Sequence, residues 1–220
     1  MDDLLHELKP LGSFRTILKD GNVLFQGEVP RSVILVRSGI IRAYTITSSG
    51  EERTVALYGD GSILPLTWVL GTTNNSLFYY EAVTDCRVFQ VPKGAFTDFI
   101  YSKPGRTKAM LKQTADIYTS LLLRITGLEQ SRAVEKIGFT LYYLLFTHGK
   151  EVRPGVFTIN VRLSHALFGS LVGLTRESTA KNMKQLRDKG IIDYASFTYT
   201  VDKAKLEAFL GEDGFRDLTI

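Results

Sequence analysis

The sequence predicts an α+β chain: short strands closing into a sandwich or barrel, then a long helix, then a helix-turn-helix with an extended run behind it. Three observations carry that expectation. Residues from about 19 to 91 hold short apolar runs punctuated by Gly and Ser turns. Residues 106–128 keep a helical apolar rhythm with no Pro and no Gly before Gly127, and residues 163–192 read as two capped helices about a glycine corner.

The 220 residues suit two compact domains, and 44% hydrophobic composition is enough for real cores. The formal charge of +4 is compatible with a polyanionic partner and equally with ordinary surface composition, so charge alone identifies nothing. Met1-Asp2-Asp3 lacks the basic start and apolar stretch of a secretory leader. No apolar run approaches the roughly 18 residues of a spanning helix. A cytoplasmic protein without a membrane partner is expected.

In the N-terminal half, Val23-Leu24-Phe25 precedes Gly27, Val33 to Val36 precedes Gly39, and Ile40 to Tyr44 precedes Ser48-Ser49-Gly50. Thr54 to Tyr58 precedes Gly59-Asp60-Gly61, and Tyr79 to Val91 is again extended. So many short strands point to a sandwich or barrel.

On the long helix, Leu111, Ala115, Tyr118, Leu122 and Ile125 follow a 4-3-4-3 spacing, with Met110, Ile117, Leu121 and Leu128 beside them. Two stripes fit one wide face buried on the chain's own strands, or a second partner in a twin helix. A further helix is expected from about Ala133 to Phe146, with a hinge around 127–131.

In the last third, Ser164 can cap a helix carrying Leu167, Phe168, Leu171 and Val172, and Gly173 supplies the left-handed corner that ends it. Thr175 can cap a second helix, on which Thr179, Met183 and Leu186 form a buried stripe while Glu177, Lys181 and Lys184 repeat that spacing opposite. Gly169 sits where crossing helices need a small residue, and a side chain larger than Ala should splay them. Gly190-Ile191-Ile192 ends the helix, and Tyr194, Phe197, Tyr199 and Val201 alternate about Ala195-Ser196 as a short hairpin would. A charged helical face is often merely solvated; the capped pair followed by a hairpin favours DNA as the partner.

This segment resembles the winged helix-turn-helix of the CRP/FNR superfamily of bacterial transcription regulators. Lys19 to Glu28, Val36 to Gly39 and Gly59 to Ile63 resemble that family's cyclic-nucleotide-binding β-roll. The resemblance spans residues 10–202 and implies a β-roll (jelly-roll-like) sensor domain over residues 1–105. A dimerisation helix and hinge over 106–130 and a winged helix-turn-helix DNA-binding domain over 131–220 would follow. It implies a homodimer on a palindromic operator of double-stranded DNA, with RNA polymerase as a further partner. Carried onto this chain, Arg176, Glu177 and Lys181 would meet base edges, Lys181 standing where the family commonly has Arg. Ser164 and Thr175 would mainly fix the DNA backbone, with Ser178 and Lys184 as further DNA-binding residues.

The family's cyclic AMP cassette holds the ribose with Gly-Glu and the phosphate with Arg-Ser. Here those places fall near Leu64-Pro65-Leu66 and Ser76-Leu77-Phe78, without the Arg that would compensate the phosphate. Cyclic AMP is therefore not expected. A more apolar pocket is expected instead, lined by Leu64, Leu66, Trp68, Leu77, Phe78, Tyr79, Tyr118, Leu121 and Leu122, although the aromatics fit ordinary core or rim positions equally well. Cys86 is the single cysteine, which excludes an iron–sulfur cluster held by thiolates. His6, His148 and His165 are scattered and haem is not expected, so a small-molecule effector remains. Cys86 reads as a buried strand residue, with a redox switch the lesser alternative. Phosphate loop, nucleophile elbow and metal-ligand spacing are missing, which argues against an enzyme. A ligand-responsive module acting on a protein partner is the alternative function, and it leaves the helix-turn-helix unexplained.

Overall fold

A computed structural model describes residues 7–211, which fall into two compact units divided between Lys112 and Gln113. The first unit is built on two four-stranded antiparallel sheets. Its strands are β1 (Ser13–Ile17), β2 (Asn22–Leu24), β3 (Val33–Ser38), β4 (Ile41–Ile46), β5 (Glu52–Tyr58) and β6 (Ile63–Leu64). The short helix α1 (Leu66–Val69) separates these from β7 (Tyr79–Ala82) and β8 (Cys86–Val91). Sheet order is β1-β8-β3-β6 in one layer and β2-β7-β4-β5 in the other.

The pleat sends alternate residues to opposite sides of each layer. Ile34, Val36 and Val88 meet Ala43, Tyr80 and Ala82 between the sheets. Val33, Leu35, Phe89 and Val91 point the other way, onto Trp68 and the apolar side of helix α2 (Lys93–Tyr101), where Phe96, Phe99 and Ile100 are buried. Met110, from the start of the long helix, completes that outer cluster. The expected strands are present with ends shifted by a few residues, except that the extended run expected over Tyr79 to Val91 is two strands, β7 and β8, which belong to different sheets. β1 and β6 were not foreseen: β1 buries only Ile17, and β6 is two residues long.

The long helix α3 runs Pro104–Glu129 and is followed by α4, Ala133–His148. Within the second unit Gly127 lets α3 approach α4: a Cβ there would stand 2.7 Å from Cβ of Phe139. α4 is buried on nearly all sides, from Val134 to Leu145. A hairpin, β9 (Gly149–Arg153) and β10 (Val156–Ile159), leads into α5 (His165–Val172) and α6 (Arg176–Asp188). β11 (Ile192–Ala195) and β12 (Thr198–Asp202) join the hairpin in a sheet ordered β11-β12-β10-β9, and α7 (Lys203–Leu210) closes the described chain. α7 is pinned to α4 by the Tyr142 hydroxyl, which donates to Glu207 Oε1 at 2.9 Å, while Lys203 Nζ lies 3.0 Å from the same oxygen.

No helix among the described residues is long and apolar enough to cross a membrane. On α3 the expected second stripe divides, with Met110 buried in the first unit's core. The 4-3-4-3 stripe is left to solvent, with Leu111 67% and Tyr118 63% exposed and Leu122 and Ile125 likewise open.

Candidate nucleic-acid interface

Local sequence builds the helix pair as read. Ser164 Oγ accepts from the Leu167 amide at 3.1 Å and caps α5, and Gly173 ends it at φ +72°. Thr175 Oγ1 accepts from the Ser178 amide at 3.1 Å and caps α6. Each cap satisfies a backbone donor that a helix start would otherwise leave open. Thr179, Met183 and Leu186 are fully buried, and the Thr179 hydroxyl turns back to donate to the Thr175 carbonyl at 2.9 Å.

Gly169 is where the helices touch. A Cβ there would stand 2.6 Å from the Leu174 carbonyl oxygen and 3.0 Å from Thr179 Oγ1. The expectation that Ala would be tolerated is therefore corrected: a single methyl already meets backbone. The pair is also tied to the second unit's part of α3, since the Arg124 guanidinium donates to the Leu171 carbonyl at 2.8 Å.

With one face of α6 so occupied, Arg176, Glu177, Lys181 and Lys184 stand exposed on the other side, without ion pairs among the described residues. Ser178 is half-buried, and its carbonyl accepts from Asn182 Nδ2 at 2.8 Å. His165, first residue of α5, lies within the electrostatic reach of Arg176. Burial and that positive charge lower its pKa from the ordinary 6.5. A helix start carrying a free guanidinium and a free carboxylate, with two lysines along the same helix, can offer donors and an acceptor to base edges and cations to phosphates.

The hairpin behind α6 differs from its reading in one respect. Ala195 pairs with Thr198, so the turn is Ser196-Phe197, and Phe197 does not belong to the buried alternation of Tyr199 and Val201. The reason is conformational: both turn residues have positive φ, which the sequence does not announce with a glycine.

Within the first unit, the residues expected around an effector divide between two cores. Leu64 lies between the sheets and Phe78 packs at that core's edge, whereas Trp68 and Leu66 belong to the outer cluster. Tyr79 stands on the outer side of its sheet, stacked on Tyr44 at 5.2 Å, because the pleat turns the neighbouring Tyr80 inward. Leu77 is exposed; so, on α3, are Tyr118, Leu121 and Leu122. The first unit instead holds a cavity of about 340 Å³ in which Arg15, Glu28, Arg31 and Gln90 surround Leu24 and Ile34. Those residues come from β1, β2, β3, β8 and the segment after β2, too far apart in sequence to read as a group. Glu28 accepts from the Phe25 amide at 3.0 Å, and the backbone beside it pairs with Ser76.

Cys86 is buried, its thiol donating to the Ile40 and Thr84 carbonyls at 3.4 and 3.1 Å, and burial raises its pKa above the usual value. Among the described residues no group of three or more His, Cys, Asp or Glu is placed to hold a metal ion.

Comparison with known proteins accounts for both units. The cyclic nucleotide-binding domain profile matches residues 14–103, and the Crp-like helix-turn-helix domain profile matches residues 135–209. The chain belongs to the CRP/FNR superfamily of transcription regulators. Like the rest of that non-catalytic family it is a DNA-binding regulator that answers to an effector. It is 24% identical over 201 residues to the global nitrogen regulator of Synechococcus elongatus, covering 87% of this chain and 89% of that protein. A cyclic nucleotide-binding domain containing protein from Listeria monocytogenes has the same fold, with TM-score 0.78 at 13% identity, covering 93% of this chain and 98% of that one. FixK2 from Bradyrhizobium japonicum matches at TM-score 0.74 and 18% identity, over 90% and 96% of the two chains.

Proposed function

We propose that this CRP/FNR regulator binds a pseudo-palindromic operator as a homodimer, with α6 of each subunit in the major groove. The observation that carries the reading is the division of α6 into a fully buried side and a charged side left free of ion pairs. In this assignment Arg176 meets a guanine edge, Glu177 accepts from cytosine N4, and Lys181 meets a guanine or phosphate one turn further in. Ser164, Thr175, Ser178 and Lys184 hold the DNA backbone. The exposed stripe on α3 supports the dimer: its 4-3-4-3 spacing is that of a two-helix seam, and a twin helix would remove its apolar surface from water.

Residues 1–105 are assigned to effector sensing, 106–130 to dimerisation and coupling, and 131–220 to DNA. The effector is a small molecule other than cyclic AMP. The segment Ser76-Leu77-Phe78 offers a hydroxyl already donated to the Phe78 carbonyl, an exposed Leu and an apolar ring, and none of these neutralises a phosphate. The protein works in the cytoplasm, with RNA polymerase as its further partner.

Fluorescence anisotropy with a labelled pool of random-sequence duplex tests the reading. Binding at low salt should weaken steeply as salt rises, and Lys184→Ala should weaken it for all sequences and reduce the slope against log salt by about one. A wild-type protein that binds no duplex at low salt would contradict it.

A further inference from the structure

At one end of the first unit the core between the sheets gives way to polar side chains. Along β8 the pleat sends Cys86 and Val88 into that core, and Gln90 is the next residue on the same side. On β1, Ile17 pairs with Cys86 and Arg15 with Val88, so Arg15 holds the inward register one step beyond buried Ile17. Ile34 of β3 pairs with Gln90 and is buried. An arginine and a glutamine therefore stand where the next apolar layer would be. Departures of this kind from a strand's own pattern are expected at functional sites.

Both residues line the cavity of about 340 Å³, with Leu24 and Ile34 as its apolar part and Glu28, Arg31 and Ser32 entering from the segment after β2. That segment is held in place by its own contacts. Glu28 Oε2 accepts from the Phe25 amide at 3.0 Å, the Gly27 amide donates to the Ser76 carbonyl at 2.8 Å, and the Ser76 amide donates to the Glu28 carbonyl at 2.8 Å. Pro30, next to Arg31, is buried. Neither Arg15 nor Arg31 has a carboxylate within ion-pair distance among the described residues.

The charge count selects the ligand. Two guanidiniums against one carboxylate leave the cavity with one uncompensated positive charge, which a monoanion neutralises, a zwitterion leaves standing and a dianion inverts. Guanidinium donors fit a carboxylate through paired hydrogen bonds. Glu28 and Gln90 can accept from a hydroxyl, while Leu24 and Ile34 offer surface to a short aliphatic body. A volume near the lower end of the range of about 300–1,000 Å³ for ligand pockets restricts the occupant to a small molecule.

We propose that this cavity binds a small aliphatic hydroxy acid, its carboxylate held by Arg15 and Arg31 and its hydroxyl by Glu28 and Gln90. The proposal deepens the reading that residues 1–105 sense a small effector, and rests on that reading for any effect on DNA. None of the lining belongs to the residues expected around an effector from the sequence.

Isothermal titration calorimetry on the full-length protein tests it, with α-hydroxyisocaproate, its neutral amide, leucine and inorganic phosphate as probes. The hydroxy acid should bind with a Kd in the millimolar range or tighter, and the amide and leucine about tenfold more weakly. Arg15→Gln and Arg31→Gln should each weaken the hydroxy acid about tenfold while melting like wild type, since both side chains are exposed. Leu77→Ala, outside the cavity, should bind like wild type. Binding that neither arginine variant weakens, or phosphate bound as tightly as the hydroxy acid, overturns the proposal. No binding of the hydroxy acid overturns it too, and leaves the effector reading standing. Anisotropy of a fluorescein-labelled random-sequence duplex pool, measured with and without the hydroxy acid, separates the two: binding lost in both arginine variants but without effect on wild-type DNA affinity upholds the site and removes its effector role.

Discussion

Gly169→Ala should destabilise the second unit by about 2 kcal/mol. The added Cβ would stand 2.6 Å from the Leu174 carbonyl oxygen and 3.0 Å from Thr179 Oγ1. Neither atom is at the end of a flexible side chain. The Leu174 amide donates to the Gly169 carbonyl at 3.0 Å, and the Thr179 hydroxyl is held by the Thr175 carbonyl at 2.9 Å, so relief requires α5 and α6 to separate. Overpacking costs about 1–3 kcal/mol, and contact with backbone puts this case at the upper end. The better helix propensity of Ala offsets about 1 kcal/mol, which leaves the stated net loss. Gly94→Ala in α2 is the control, because a Cβ there meets nothing within 4 Å and should be neutral or mildly stabilising. Urea denaturation followed by far-UV circular dichroism reads the difference. With a slope of about 2 kcal/mol/M, the Gly169→Ala transition should move down by about 1 M. A midpoint as high as that of Gly94→Ala would refute the close-approach argument.

Three further outcomes are expected. Leu122→Asp places a charge on the exposed α3 stripe and should shift the protein toward monomer in sedimentation and weaken operator binding with it; an unchanged sedimentation profile would remove that stripe from the dimer contact. Cys86, buried and with its thiol pKa raised, should react with a thiol reagent only on unfolding, and rapid labelling of the native protein would contradict its placement. His165 has a folded-state pKa below 6.5, so the stability it contributes is complete above pH 6.5 and is lost as pH falls through the folded value. His165→Gln should flatten that part of the stability profile, and a profile identical to wild type would count against the assignment.

What the sequence made legible was local. The caps Ser164 and Thr175, the corner Gly173 and the buried stripe of α6 each depend on residues within one or two turns of each other, and periodicity together with side-chain chemistry specifies them. Helices α3 and α4 were legible for the same reason. β1, β6, β9 and β10 were not: β6 and β10 are only two and four residues long, and β1 and β9 are edge strands with nearly every residue exposed, so no apolar alternation marks them. The Ser196-Phe197 turn was missed because its backbone carries the left-handed conformation without a glycine or asparagine to signal it. The cavity of Arg15, Glu28, Arg31 and Gln90 joins residues drawn from opposite ends of the first unit, and strand order, which spacing does not encode, brings them together. The resemblance to a nucleotide cassette directed attention to Leu64 to Tyr79, where the pleat and two separate cores divide the residues instead.

The central claim is that paired α6 helices read DNA in the major groove, and selection of binding sites from a random duplex library, run in parallel with wild type and Glu177→Ala, tests it most directly. Wild type should enrich a pseudo-palindrome with half-site centres about 34 Å apart, one helical turn. Glu177→Ala should enrich the same palindrome with preference relaxed at one base pair per half-site, a loss of about 1–3 kcal/mol for the favoured sequence. An identical motif from both proteins would remove Glu177 from base readout. A motif without two-fold symmetry, or none at all, would contradict the paired-helix account itself.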